Sequence, residues 1–278
     1  MRDVKLHHIQ NIVGDAGFGG TCPIIVKAND KEYVLKTKED GTNPKSLGVF
    51  NELLSYQLLE YLGTNIAPQE VVYLFIDDDF VEMAEIAYSV GNIKEESLEN
   101  IKESLGVNIG IEYLHYAQDT RNAKIGNDTF IKDIAHIDNY IMNCDRTEDN
   151  SNILQDTRNL KKYYAIDFGN ALADAECYKK IQNGEADIFT TGAYSHCNAT
   201  LSGRYILKSD TQRLIKRGRK IKDNISTIRD ILDDIISEFP PDWEPLLHKN
   251  DIIDVISTRL KSTKIFKTDD SSKCDCLY

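Results

Sequence analysis

The densest set of chemically capable residues lies mid-chain, in Cys144-Asp145-Arg146-Thr147-Glu148-Asp149-Asn150-Ser151-Asn152-Ile153-Leu154. It holds an Asp-x-x-x-x-Asn pattern. Asp145 can orient or deprotonate a hydroxyl, and Asn150 can reach a magnesium ion across the same loop. Polar turns also use Asp and Asn, because both bond their own backbone. Position favours chemistry: an apolar-faced helix precedes the segment and a strand follows it. Asp167-Phe168-Gly169 comes next, at a separation that suits a short hairpin joining the two. Its aspartate is a second candidate ligand for the same cation.

Two earlier features could hold a nucleotide. In Gly14-Asp15-Ala16-Gly17-Phe18-Gly19-Gly20-Thr21 the glycines let backbone N–H groups approach a phosphate chain closely. Alone, such a run is usually only a turn. It lacks the Gly-Lys-Ser/Thr ending of a Walker A loop, which disfavours a P-loop NTPase. Lys36 then ends a predicted strand, and Glu52 lies early in a predicted helix. A strand lysine paired with a helix glutamate holds the α- and β-phosphates in protein kinases. Taken singly they read as two ordinary surface charges. The ordered series of glycine run, lysine, glutamate, Asp-x-x-x-x-Asn and Asp-Phe-Gly carries the weight jointly.

The elements that must position these groups follow from apolar spacing. Ile24-Ile25-Val26 and Glu32-Tyr33-Val34-Leu35-Lys36 read as strands around an Asn29-Asp30 turn. Phe50 to Leu62 has helical spacing and a Gly63 stop, and Val71 to Ile76 reads as a buried strand. Phe130, Ile134, Ile137 and Ile141 mark one face of a helix ahead of the Asp145 loop. Ile153-Leu154 and Tyr163 to Ile166 read as short strands around a turn. Ile225, Ile228, Leu232, Ile235 and Phe239 mark an amphipathic helix stopped by Pro240-Pro241, and Ile252 to Leu260 forms the last helix. The expected class is α+β, with a small β-rich N-lobe and a mainly helical C-lobe; the ordered motif series, rather than the spacing, implies that this is a two-lobed protein-kinase-like fold. Asp77-Asp78-Asp79 interrupts the apolar pattern, which places the lobe boundary within 77–85. The expected division is 1–83, 84–267 and a flexible tail at 268–278.

With these motifs in hand, the sequence resembles the HipA-like kinases, a bacterial branch of the protein-kinase-like superfamily. The similarity lies in Asp145-Arg146-Thr147-x-x-Asn150-x-Asn152-Ile153-Leu154. It lies also in Gly19-Gly20-Thr21-x-Pro23, Tyr33-Val34-x-Lys36, Asn51-Glu52 and Leu62-Gly63. It covers roughly Gly14 to Ala171, and more loosely the C-terminal helices with Pro241-Asp242-Trp243. The resemblance implies ATP and Mg as cofactors. It implies that Lys36 contacts the nucleotide phosphates and pairs with Glu52, that Asp145 is the catalytic aspartate, and that Asn150 and Asp167 are the magnesium ligands. Gly14, Gly17, Gly19, Gly20 and Thr21 would line the nucleotide. Thr21, the one hydroxyl residue between Gly14 and Pro23, is by the same resemblance a candidate for regulatory phosphorylation.

Composition narrows the surroundings. The 278 residues carry a formal net charge of −12, which disfavours broad nucleic-acid binding and an anionic membrane surface. No run reaches the roughly 18 apolar residues of a membrane span, and Met1 to His8 has no apolar leader, so a cytoplasmic protein is expected. Cysteines at 22, 144, 177, 197, 274 and 276 form no CxxC pair and do not cluster with histidine, against a structural zinc site. A basic run between Arg204 and Lys222 is either a solvated helix face or a docking patch for an acidic partner. The leading expectation is a kinase acting on Ser or Thr of a protein. The alternatives are a small-molecule or lipid kinase, since Asp145-Arg146-x-x-x-Asn150 also resembles the phosphoinositide kinase loop, and a nucleotide-binding pseudokinase scaffold.

Overall fold

The computed structural model describes residues 4–17, 22–40, 46–62, 66–67, 69–120, 125, 128–141, 143, 145–146, 150–171, 183, 228–243 and 249–261. The chain divides into two compact units. The first comprises Met1–Leu53, Gln69–His115 and Pro240–Pro245; the second comprises Leu54–Pro68, Tyr116–Phe239 and Leu246–Tyr278.

The first unit is built on a six-stranded sheet, in the order β1-β5-β6-β4-β3-β2. Its strands are β1 (Leu6–His8), β2 (Asn11–Asp15), β3 (Ile24–Ala28), β4 (Lys31–Lys36), β5 (Val71–Ile76) and β6 (Gly106–Glu112). All neighbours are antiparallel except β1 and β5. The β3–β4 hairpin turns at Asn29 and Asp30, both with positive φ (47° and 61°). That geometry matches the right-handed twist of the strands, and Asn and Asp tolerate it best among side-chain-bearing residues.

Helix α1 (Leu47–Tyr61) begins in this unit and ends in the second. Helices α2 (Asp78–Ser89) and α3 (Glu95–Glu103) follow β5. Their buried residues Phe80, Ala84, Ala87, Leu98 and Ile101 share one core with Val26, Tyr33, Leu35, Val72, Leu74 and Ile76 of the sheet. In β4 and β5 the core residues alternate along the strand, as a period of two requires. Gly110 of β6 faces this layer: a Cβ there would lie 2.6 Å from Leu74 Cδ1.

The boundary expected within 77–85 is not where the units divide. Asp77 instead caps α2, its Oδ1 accepting from Phe80 N at 2.9 Å, and Asp78 and Asp79 fill the first turn where the helix dipole favours anions. The chain then returns as β6 between β4 and β5, so the first unit continues to His115.

The second unit contains α4 (Asp128–Tyr140), a three-stranded antiparallel sheet in the order β7 (Ala117–Asp119), β8 (Ile153–Asp156), β9 (Tyr163–Ala165), and helices α5 (Ile228–Ser237) and α6 (Lys249–Lys261). The expected α4 stripe of Phe130, Ile134, Ile137 and Ile141 is buried. Helix α5 buries Ile228, Leu232, Ile235 and Ile236, and α6 buries Ile252, Ile253, Val255 and Ile256. Arg259 of α6 is buried and donates from Nε to the Tyr140 carbonyl at 3.3 Å, placing a cation at the C-terminus of α4. Ile225, the Arg204 to Lys222 run and the tail from 268 lie outside the described residues.

Candidate active site

The Asp145 loop is organised from α4 outward. Asp138 is a carboxylate on the buried face of that helix, one turn after Ile134. Its Oδ2 accepts from Arg146 Nε at 2.9 Å and its Oδ1 from Asn143 Nδ2 at 3.0 Å. Asn143 N also donates to the Asp138 carbonyl, at 2.8 Å, and closes the turn that leaves the helix. A buried carboxylate is costly unless its charge is paired and its lone pairs are filled. Here both conditions are met by residues of the following loop.

Arg146 is the centre of that loop. Its side chain is fully buried, as is that of Asp138. From Nη1 it donates to the Asn152 carbonyl at 2.5 Å, to Ser151 at 3.1 Å and, more distantly, to Ile166 at 3.4 Å. Its guanidinium carbon stands 5.3 Å from the centre of the buried Phe168 ring, which also meets the Tyr56 ring edge-on at 5.6 Å. One planar donor group thus joins the end of α4, the entry to β8, and the exit from β9. A lysine could not bridge these acceptors, because it lacks the fixed fork.

Arg146 and its neighbours leave Asp145 tightly oriented. Asp145 N donates to Asn143 Oδ1 at 3.2 Å. On the carboxylate, Oδ1 accepts from Asn150 Nδ2 at 3.1 Å and Oδ2 from Asn152 Nδ2 at 3.0 Å. Asn150 Nδ2 also lies 3.3 Å from the Asp145 carbonyl. Ile166 N donates to the Asn152 carbonyl at 3.0 Å. That bond sets the residue before Asp167 against the residue two beyond Asn150.

Asn152 and Asp167 both have positive φ, 48° and 60°. Residues other than glycine hold this conformation at some cost, and such residues cluster at working sites. The ring of Phe168 is buried behind Asp167, and Ala171 N closes a turn onto the Phe168 carbonyl at 2.9 Å.

The donor set suits a hard divalent cation. Asn150 commits its nitrogen to Asp145, and an Asn side chain ligates a hard cation through its oxygen. Asp167 supplies a carboxylate. Magnesium takes few protein oxygens of this kind and completes its shell with phosphate and water. Among the described residues no group of three or more His, Cys, Asp and Glu side chains is placed to hold a metal. By chemical type, an Asn carbonyl oxygen and an Asp carboxylate are hard oxygen donors of the kind magnesium takes beside phosphates.

The other expected residues belong to the first unit. Lys36 is the last residue of β4 and pairs across the sheet with Ile109. Glu52 is buried in α1, 1% exposed. Gly14 lies in β2, beside an irregularity in its pairing with β3, rather than in a loop. Gly17 follows β2 with φ of 79°, and its N–H donates to Asp15 Oδ1 at 2.7 Å. The base of the segment is closed by Ala16 N donating to the Pro23 carbonyl at 3.0 Å. Lys94 holds Asp15 at 3.3 Å, and Ser97 Oγ donates to the Cys22 carbonyl at 2.8 Å. Gly19, Gly20 and Thr21 lie outside the described residues.

Asp138 and Asn143 were not singled out from sequence, and Arg146 and Asn152 were seen only as members of the motif, without a role. One signal was available. Asp138 sits four residues after Ile134 within the apolar stripe of α4, where an acid must find a partner.

The fold of the chain is similar to a solved kinase, the Helicobacter pylori proinflammatory kinase CtkA. The likeness covers 95% of this chain and 96% of that one, at 15% identity and a TM-score of 0.57. The two share a protein-kinase-like fold of mixed α and β content. A family model described as HipA-like kinase matches residues 9–268, and the chain belongs to that family. A comparison with curated proteins gives no match. Among the described residues no helix is long and apolar enough to cross a membrane.

Proposed function

We propose that this HipA-like kinase transfers the γ-phosphate of magnesium-bound ATP to a Ser or Thr hydroxyl of a protein. The observation that carries the reading is the Asp145 carboxylate, gripped on one oxygen by Asn150 and on the other by Asn152. An acid held in this way is preorganised to orient an acceptor hydroxyl and to take its proton as phosphate departs from the nucleotide. Asn150 and Asp167 hold the cation. Lys36, kept in place by Glu52, contacts the nucleotide phosphates. The glycine segment from Gly14 covers them with backbone N–H groups. When bound, the cation would supply charge neutralisation at the phosphates, which side chains alone supply poorly.

Incubation with ATP and magnesium, followed by intact-mass spectrometry of the protein and of a lysate, tests this reading. The expected result is a mass increase of one or more phosphates on protein. Phosphate appearing only on small molecules would redirect the assignment to a small-molecule kinase. ATP binding with no transfer to any acceptor would leave a pseudokinase.

A further inference from the structure

Pro240–Trp243 interrupts the second unit: the chain is in that unit at Phe239 and contributes Pro240–Pro245 to the first. Pro240 and Pro241 explain why α5, which ends at Ser237, does not continue, but not what the next residues do. Trp243 is 1% exposed. Its Nε1 donates to the Val107 carbonyl at 3.2 Å, and its ring meets Tyr73 edge-on at 6.2 Å. Trp243 N closes a turn onto the Pro240 carbonyl at 3.1 Å. Beside it, Asp242 Oδ2 stands 3.0 Å from Lys38 Nζ.

Lys38 is a junction. Its Nζ also donates to the Leu105 carbonyl at 2.7 Å, its N–H to Asn108 Oδ1 at 2.7 Å, and its carbonyl accepts from Ser46 N at 3.0 Å. Ser46 immediately precedes α1, the helix of Glu52. Lys38 itself lies two residues beyond Lys36. Gly106 completes the seat: its φ is 100°, and a Cβ there would come within 3.4 Å of Lys38 Nζ.

We propose that Asp242 and Trp243 are positioning residues for nucleotide binding. By gripping Lys38 and the backbone at Val107, they fix the end of β4 and the start of α1, and so the places of Lys36 and Glu52. The proposal rests on the reading of Lys36 as the phosphate contact. Neither residue touches the reacting atoms. Both lie far along the chain from the groups they place, so the nucleotide-binding unit is complete only with this segment on it.

The protein has one tryptophan, so its fluorescence reports on this segment alone. The full chain is compared with Asp242→Asn, Asp242→Glu and Trp243→Phe, with circular dichroism as the check on folding. Asp242→Asn should raise acrylamide quenching of Trp243. It should also raise KM for ATP about two- to fivefold, the scale of a partly exposed ion pair, with kcat near wild type. Asp242→Glu should restore both readings. Trp243→Phe keeps the ring but loses the bond to Val107, and should raise the ATP KM about fivefold. An ATP KM unchanged in both Asp242→Asn and Trp243→Phe overturns the proposal, as does a fall in kcat at constant KM. Quenching unmoved by Asp242→Asn overturns it as well. If the unmutated chain fails to bind ATP, the functional reading itself has failed and takes this consequence with it. The unmutated control shows which of the two was wrong.

Discussion

Arg146 and Asp138 form a fully buried ion pair that joins α4 to the loop bearing Asp145, with 2.9 Å between Nε and Oδ2. Burying two charges is costly, and their attraction offsets this only when the remaining hydrogen-bonding capacity is also used. Arg146 uses it on loop carbonyls, and Asp138 on Asn143. The pair therefore acts less as a source of net stability than as a device that allows one loop geometry.

Removing one partner leaves the other charge buried and alone. Arg146→Ala should lower stability by about 3–5 kcal/mol. Arg146→Lys should fail to rescue it, because a lysine cannot serve Asp138 and the carbonyls of Ser151 and Asn152 together. Urea denaturation gives the comparison. A midpoint for Arg146→Lys equal to wild type would show that charge alone is needed.

Asn152 is the residue whose removal should separate orientation from binding. Its amide holds Asp145 Oδ2, and its φ of 48° favours glycine as a replacement. Asn152→Gly keeps the backbone conformation and deletes the hydrogen bond. It should lower kcat about tenfold or more while leaving KM for ATP within about twofold, since only the aspartate is loosened. A rise in ATP KM with kcat preserved would mean that Asn152 serves the nucleotide instead.

What the sequence disclosed, and what it hid, has a physical pattern. Val71 to Ile76 was readable as a continuous apolar run of strand length, and the α4 stripe by its helical spacing. Strand β6 was not, because Gly106, Asn108 and Gly110 have poor strand propensity. Distant partners hold them: the Lys38 N–H donates to Asn108, and the Leu74 side chain presses on Gly110. Asp77 read as a break because an acid ends an apolar run, yet the same acid opens a helix. The chemical residues of the loop were legible as a pattern. The buried, bridging role of Arg146 was not, because a charged residue is expected in solvent unless its acceptors are already known.

Asp156 gives the fold a measurable acid dependence. Arg158 hydrogen bonds, from side chain and backbone, with the Tyr164 hydroxyl, hold its carboxyl down at about 2. An unfolded aspartate titrates near ~3.9. The native state therefore gains stability from ionised Asp156 above about pH 4, and loses it as pH falls towards 2. Asp156→Asn lacks this gain at every pH. The stability gap between wild type and Asp156→Asn should be constant from pH 5 to 7, then narrow between about pH 4 and 2. Thermal melts across that range measure it. A gap that stays constant down to pH 2 would show that Asp156 ionisation contributes nothing.

Asp145 and Asp167 should fail in different ways, and the contrast tests the assigned chemistry most directly. Asp145 is read as the group that orients the acceptor, so Asp145→Ala should bind ATP and magnesium normally and transfer no phosphate above background. Asp167 is read as a cation ligand. Asp167→Asn keeps shape and removes charge, so it should weaken binding of magnesium-ATP and abolish most transfer, with partial recovery at high magnesium. Neither change should unfold the protein, because both carboxylates are only partly buried and lie outside the apolar core. Calorimetric titration of magnesium-ATP, read beside phosphate transfer, separates the two. Wild-type transfer by Asp145→Ala would reject the proton-accepting role. Unaltered magnesium dependence in Asp167→Asn would reject the cation assignment and leave Asn150 without its partner ligand.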